Sequence, residues 1–396
     1  MDGPFAELTH ADCIERSEAL VEAVAARAAD TEAARRIPDE TMDAVRAAGL
    51  LHAMVPRRYG GPGLGLRTVC EISRVLARGC PSTSWVVGFL VEHNWQFARF
   101  PEQCQDEILG PAGVLTASAQ LQPSGRMAPA EGGYVVSGRW AFCSAALHSD
   151  WAILAGIERG EVGGERGAAL VFIVPMSDVT VDDDWHTAGM RGTGSVTLVA
   201  DEVFVPAHRT VGFLDFAGEA NPGTRIHPEP IVGYPLGPSL AVFASSVAVG
   251  AAERTVELFR EQLGSRVLFA TAGDTPSSRP RSQARLADAA VALRSAQLLW
   301  ADALDVLCTH GDAGTRLTVE QRAWVRLLAG KTVLAARDAI ATVCDGAGAS
   351  VYYERSPIQR FQRDVETMKG HVVFDTDRST VSYGQAALGL PLTDPF

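Results

Sequence analysis

The 396-residue chain has no excess of positive charge: 35 Lys and Arg face 47 Asp and Glu, a formal net charge of −12. Such a surface repels nucleic-acid phosphates and anionic membranes, so neither is expected as a partner. C-x-x-C spacing is absent, and the seven cysteines (13, 70, 80, 104, 143, 308 and 344) are odd in number and spread along the chain. Reduced thiols are expected, not a disulfide framework or a zinc site. None of the nine histidines lies in an H-E-x-x-H pattern, and the single acidic cluster, Asp182-Asp183-Asp184 beside His186, reads as an exposed loop, so no metal is expected. The longest weakly polar run, 239–252, is interrupted by Ser245 and Ser246 and falls short of the roughly 20 residues of a membrane span. Met1-Asp2-Gly3-Pro4 has neither the basic stretch nor the apolar core of an export signal, which points to the cytoplasm. No G-x-G-x-x-G stands between a strand and a helix, so no nicotinamide site is visible.

What is present is a composition able to fold: 47% hydrophobic and 21% charged residues, enough for a sizeable core in two or three domains. From 9 to about 120 the apolar spacing is helical. Ile14, Val21, Val24, Ala25 and Ala28 share one face, and Met42, Val45 and Ala48 form a second stripe between Pro38 and Gly49. Near Gly113 the pattern changes to short β-branched runs separated by glycines, with strands at Tyr134-Val-Val, Trp151-Ala-Ile-Leu, Ala169-Leu-Val-Phe-Ile-Val and 196–205. A Pro/Gly-rich connection at 211–235 leads to Ala-, Leu- and Val-faced helices at about 236–264, 282–310, 318–345 and 370–388. The expected organisation is a helical domain at 1–112, a β domain at 113–212 and a helical bundle at 213–396.

Within this order, Gly138-Arg-Trp-Ala-Phe-Cys-Ser-Ala-Ala-Leu-His-Ser-Asp-Trp151 resembles a strand signature of the acyl-CoA dehydrogenase superfamily. Its ending, His-x-x-Trp, is similar to the flavin-dependent monooxygenase branch. Trp185-His-Thr-Ala-Gly-Met-Arg-Gly-Thr-Gly-Ser195, Val203-Phe-Val-Pro206 and Arg360-Phe-Gln-Arg-Asp364 followed by His371 agree in order. The resemblance implies an α+β fold: an N-terminal helical domain, a central antiparallel β-barrel or sandwich, and a C-terminal four-helix bundle.

It also implies site residues. Ser144 corresponds to the hydroxyl beside flavin N5, with Trp140 and Phe142 supplying apolar surface near the ring. Arg266 resembles the arginine that meets flavin phosphate oxygens, with Gln283 in the neighbourhood of a family glutamine. His371 matches the histidine facing the flavin's reactive edge, where a neutral imidazole takes a phenolic proton or holds a peroxide by a hydrogen bond. Asp375, four residues on, would orient that ring if 371–388 were helical. His93 matches a second histidine beside the substrate pocket, whereas His148 reads as shaping its turn. Cys143 is expected on the opposite strand face from its neighbours, and 192–195 as a tight turn bordering the pocket.

The dehydrogenase branch places a carboxylate in a Tyr-Glu-Gly setting after the Arg-Asp pair, or on the first bundle helix. This chain reads Val-Glu-Thr-Met-Lys-Gly-His371, and 235–249 holds no carboxylate. Acyl-CoA dehydrogenation or oxidation is therefore the minor alternative. The resemblance implies the oxygenase component of a two-component monooxygenase, taking FMNH2 or FADH2 from a separate NAD(P)H-dependent flavin reductase. With O2 as co-substrate, it would hydroxylate an aromatic or heteroaromatic small molecule through a C4a-hydroperoxide. N- or S-oxygenation by the same flavin chemistry is the alternative, and a homotetramer is the expected assembly.

Overall fold

A computed structural model describes residues 3–158, 167–265, 277 and 279–393. Six helices come first: α1 (His10–Ala26), α2 (Ala28–Ala34), α3 (Asp39–Ala47), α4 (Leu66–Ala77), α5 (Pro81–Phe97) and α6 (Glu102–Ala112). Thr9 opens α1 through a reciprocal capping box with Asp12. Proline at the first position opens α5 without losing a helical hydrogen bond, and every residue of that helix except Phe89 is buried. So deep a helix needs a close fit. A side chain at Gly88 would meet Ser73 Oγ of α4 at 2.5 Å and the Phe243 ring at 2.6 Å.

Seven strands form one sheet: β1 (Ala117–Ala130), β2 (Gly133–Cys143), β3 (Trp151–Glu158), β4 (Ala169–Pro175), β5 (Thr180–Asp182), β6 (Val196–Pro206) and β7 (Thr210–Gly212), in the order β5-β6-β2-β1-β3-β4-β7. The sheet is mixed, because β1 pairs antiparallel with β2 but parallel with β3. The segment between β2 and β3 has to cross the start of β1, and side-chain and backbone bonds fix that crossing. Ser118 Oγ donates to Ser144 O at 2.8 Å, and Asp150 N and Trp151 N both donate to Thr116 O. β1 went unread as a strand. Its Gln-, Pro- and Gly-containing sequence has weak strand propensity, and its ladder to β3 is irregular around Pro123 and Gly125.

Period-2 alternation sorts the two faces. Ala152 and Leu154 join Met127, Trp140, Phe172 and Leu198 in a small core of the sheet itself, whereas Ile153 and Ala155 face the main core with the helices. A short helix α7 (Phe213–Ala217) starts the connection to the bundle, which comprises α8 (Leu236–Ser265), α9 (Pro280–Asp312), α10 (Val319–Ala347), α11 (Pro357–Met368) and α12 (Thr376–Ala387). By length and composition α8 could be taken for a membrane span, yet most of it is buried inside the protein. α11 was not foreseen, and the helix expected at 370–388 begins only at Thr376.

The irregular connection is tied down by Glu229, which accepts from Arg57 N, by the His227–Gln105 bond, and most extensively by Arg99. Arg99, fully buried just beyond α5, donates to Phe216 O at 2.6 Å, Val232 O at 3.0 Å, Tyr234 O at 2.9 Å and Gly218 O. Its guanidinium also lies over the Trp95 ring, 5.1 Å from the centroid. Arg99→Met would remove four hydrogen bonds, leaving Gly218 O and Val232 O with only the Asn221 amide, and we expect a loss of about 3 kcal/mol. A lowered urea midpoint together with early protease cleavage within 213–235 would show it.

Candidate active site

The turn after β2 carries the first functional side chain. Phe142 and Ala145 both have positive φ, 67° and 64°, and bracket Ser144. Non-glycine residues adopt this conformation at a cost that surrounding structure must offset, and such strain gathers at sites. The bulge also breaks strand alternation, as the β2–β6 register shift between Trp140 and Cys143 shows. Trp140, before the break, keeps the regular inward face, and Phe142, after it, turns out. Trp140 is fully buried, its Nε1 donates to Ala155 O at 2.8 Å and its ring packs on Phe172, so it offers no surface to a flavin. Phe142, by contrast, is 62% exposed and is held edge-on by Trp185. Cys143 is buried, with its thiol on Trp140 O.

Ser144 Oγ accepts from Trp85 Nε1 at 3.0 Å and lies 2.7 Å from Ser195 Oγ. Trp85 belongs to α5, and residues four apart share a helix face, so Trp85, Phe89 and His93 form one row. Their rings are 5.0 and 5.3 Å apart, with Phe243 of α8 edge-on to Phe89. The His371 ring meets Trp85 at 5.5 Å. Ser144, His371 and His93 are thus brought together around a single aromatic wall.

The two histidines differ in which nitrogen is committed. His371 caps the short turn Val372–Phe374, where its Nδ1 accepts from Val373 N at 3.3 Å. Burial pushes its imidazole down to about 4, so the ring is neutral with its hydrogen on Nε2: a donor, where a base was one of the two roles expected. His93 is the reverse. Its Nδ1–H donates to Ala117 O, and its buried Nε2 makes no hydrogen bond, the Glu92 carboxyl standing 3.7 Å away; burial lowers its pKa to about 4 despite the Ala117 bond. An unpaired buried acceptor is costly and calls for a donor from a ligand.

Asp375 does not orient His371. The helix starts one residue later, and the Asp375 carboxylate caps it by accepting from Arg378 N at 3.0 Å. His371 is placed from the other side, by α11. Arg360 and Arg363 grip Glu32 of α2, Arg363 Nη1 donates to Ala188 O at 2.7 Å, and the buried Asp364 accepts from Met190 N at 2.6 Å. Gly189 permits this approach, since a side chain there would strike Arg363 O at 2.0 Å. Burial raises the Asp364 carboxyl to about 7, against the lowering effect of the Met190 N–H. His148 accepts from Ile37 N at 3.2 Å, a turn-shaping role.

At the expected phosphate end, Arg266 lies outside the described residues, and Gln283 is exposed in the first turn of α9 with its amide on Ser277 O at 3.0 Å, apart from the Ser144 cluster. The acidic run is divided among partners: Asp182 to Arg139, Asp183 to Arg35 and Asp184 to Thr197. Trp85, Ser118, Thr193, Ser195 and Asp364 went unassigned as site residues. The i, i+4, i+8 spacing of Trp85, Phe89 and His93 was the available signal.

The acyl-CoA dehydrogenase N-terminal domain family matches residues 14–107, and the acyl-CoA dehydrogenase C-terminal domain family matches 242–376. The flavin-dependent monooxygenase oxygenase subunit HsaA of Rhodococcus jostii (strain RHA1) is 32% identical over 96% of this chain and 99% of that protein. The oxygenase component of the FADH2-dependent resorcinol hydroxylase of Rhizobium sp. (strain MTP-10005) is 30% identical over 96% of this chain and 95% of its own length. Among solved structures, XiaF from Streptomyces sp. in complex with FADH2 and glycerol superposes with a TM-score of 0.92 at 29% identity, covering 98% of this chain and 97% of that one.

Asp364 gives a pH prediction. Its folded pKa lies above the ordinary 3.8, so the folded state holds a proton that the unfolded chain has lost, and this group's contribution to stability falls as pH rises from about 4 to 7. Asp364→Asn keeps an acceptor for Met190 N without titrating. The difference in urea midpoint between pH 5 and pH 8 should be smaller in that variant than in the parent.

Proposed function

This chain belongs to the acyl-CoA dehydrogenase family, among the oxygenase components of flavin-dependent monooxygenases, and on that premise we propose that it hydroxylates a phenolic small molecule. The observation that carries this reading is the unpaired Nε2 of His93 at the end of the Trp85–Phe89 wall. An aromatic ring fits the wall, and a phenolic O–H fits the orphaned acceptor.

The residues suit a reduced flavin. Ser144 Oγ keeps a lone pair for a donor at the ring's polar edge, and the exposed face of Phe142 offers apolar surface beside it. When bound, reduced flavin activates O2 and delivers one oxygen atom to an electron-rich ring carbon. Around it, Ser144 holds the flavin edge, His371 donates from Nε2–H toward the reacting oxygen, and the aromatic wall keeps water out. His93 takes the phenolic proton at Nε2. FMN and FAD are both retained as candidates, supplied by a separate NAD(P)H-dependent reductase in the cytoplasm, where seven buried free thiols are at home.

Anaerobic addition of FMNH2 or FADH2, then oxygen and a panel of phenols, tests the assignment through product formation. His93→Ala should slow hydroxylation roughly 10²-fold, the usual scale for a positioned base, with recovery as pH rises toward the phenol's own pKa near 10. His371→Ala should lose product while oxygen uptake continues, and high pH should not restore it. Equal, pH-independent losses in both variants would remove the division of roles.

We also propose a homotetramer formed through the bundle, which exposes Val291 and Leu298 on α9, Val381 on α12 and Leu388 just beyond it. Light scattering at micromolar concentration should give four times the 42.1 kDa chain mass. A monomer would reject it.

A further inference from the structure

Three groups continue inward from Ser144 in single file. Ser144 Oγ is 2.7 Å from Ser195 Oγ, Ser195 Oγ is 2.8 Å from Thr193 Oγ1, and Thr193 Oγ1 donates to Met190 O at 2.8 Å. Thr193 and Ser195 are buried. A carbonyl oxygen only accepts, so the last bond fixes the direction of all the others. The Thr193 proton is committed to Met190 O, so Thr193 accepts from Ser195, and Ser195 in turn accepts from Ser144. Trp85 Nε1–H already donates to Ser144 Oγ from the other side. The Ser144 proton therefore points inward, and its remaining lone pair points outward.

We propose that the Thr193–Ser195 relay locks the Ser144 hydroxyl as a hydrogen-bond acceptor and thereby makes the site select reduced over oxidised flavin. The inference rests on the placement of Ser144 beside flavin N5 given above. Reduced flavin presents N5–H, a donor that the outward lone pair accepts with the whole relay intact. Oxidised flavin presents N5 as a bare acceptor. To meet it, Ser144 must turn its proton outward, and the relay must reverse until Thr193 gives up Met190 O. That carbonyl then keeps Trp185 Nε1–H at 3.0 Å and Thr193 N–H at 3.2 Å, but loses the shortest of its three bonds, the Thr193 hydroxyl at 2.8 Å. The two redox states thus differ by one internal hydrogen bond, a factor of roughly five to ten in affinity. Thr193 and Ser195 touch no flavin atom in this scheme and act as positioning residues through Ser144.

Affinities of the anaerobic dithionite-reduced and the oxidised forms of FMN and FAD, measured by equilibrium titration, give the test without turnover. Thr193→Val removes the terminal donor while keeping shape, so the preference for reduced flavin should fall roughly five- to tenfold, chiefly by tighter binding of the oxidised form. Thr193→Ser keeps the hydroxyl and should keep the preference. Ser195→Ala should behave like Thr193→Val. A merely structural role would weaken both redox forms together and leave their ratio unchanged, which would overturn the proposal. Ser144→Ala separates the two levels of inference. An unchanged ratio in that variant rejects the N5 placement itself, whereas a collapsed ratio in Ser144→Ala with an intact one in Thr193→Val rejects the relay alone.

Discussion

The buried bond from Met190 N–H to the Asp364 carboxylate, 2.6 Å long, holds the site together because both of its halves hang on it. On one side the 190–195 turn carries Thr193 and Ser195, whose hydroxyls reach Ser144. On the other, α11 ends at Met368, and the chain delivers His371 to the Trp85 ring three residues later. Sheet and bundle are distant in sequence, and this bond with the Arg363 bridges to Glu32 and Ala188 joins them directly, where Trp85 otherwise links the serine and the histidine only through α5.

Long-period features were legible in the sequence, and local exceptions were not. The first bundle helix was expected at 236–264 and runs Leu236–Ser265, because thirty residues of apolar spacing average out single departures. The ordered motifs brought Ser144, His371 and His93 to one wall. The tight turn at 192–195 lies where expected, with a 3-10 turn at Arg191–Thr193. The resemblance put both Trp140 and Phe142 beside the flavin ring, and the break in alternation at Phe142, with its positive φ, sends them to opposite sides. No sequence pattern announces such a bulge, since Phe is a poor choice for that conformation and only the surrounding packing enforces it.

Asp375 failed for a related reason. A spacing of four places two side chains together only inside a continuous helix, and here His371 and Asp375 each cap a separate short element. The helix α11 was hidden because Pro357 and Gly370 frame a polar segment of only a few turns, with its apolar residues Ile358, Phe361, Val365 and Met368 on one stripe. Site chemistry turned on commitments of single nitrogen atoms. Which histidine donates and which accepts depends on Val373 N and Ala117 O, partners that residue identity does not reveal.

The four-carbonyl grip of Arg99 bears on how anything enters. A segment without regular structure is usually the natural hinge between domains, and residues 213–235 sit where such a hinge would be. One buried guanidinium anchors this segment to the end of α5 at Phe216, Gly218, Val232 and Tyr234. Moving this segment away from the end of α5 would break all four bonds at once. A ligand that enters without parting this anchor has to pass the side chains left uncovered, Phe142, which stands exposed, and Phe89, the one residue of α5 that is not buried.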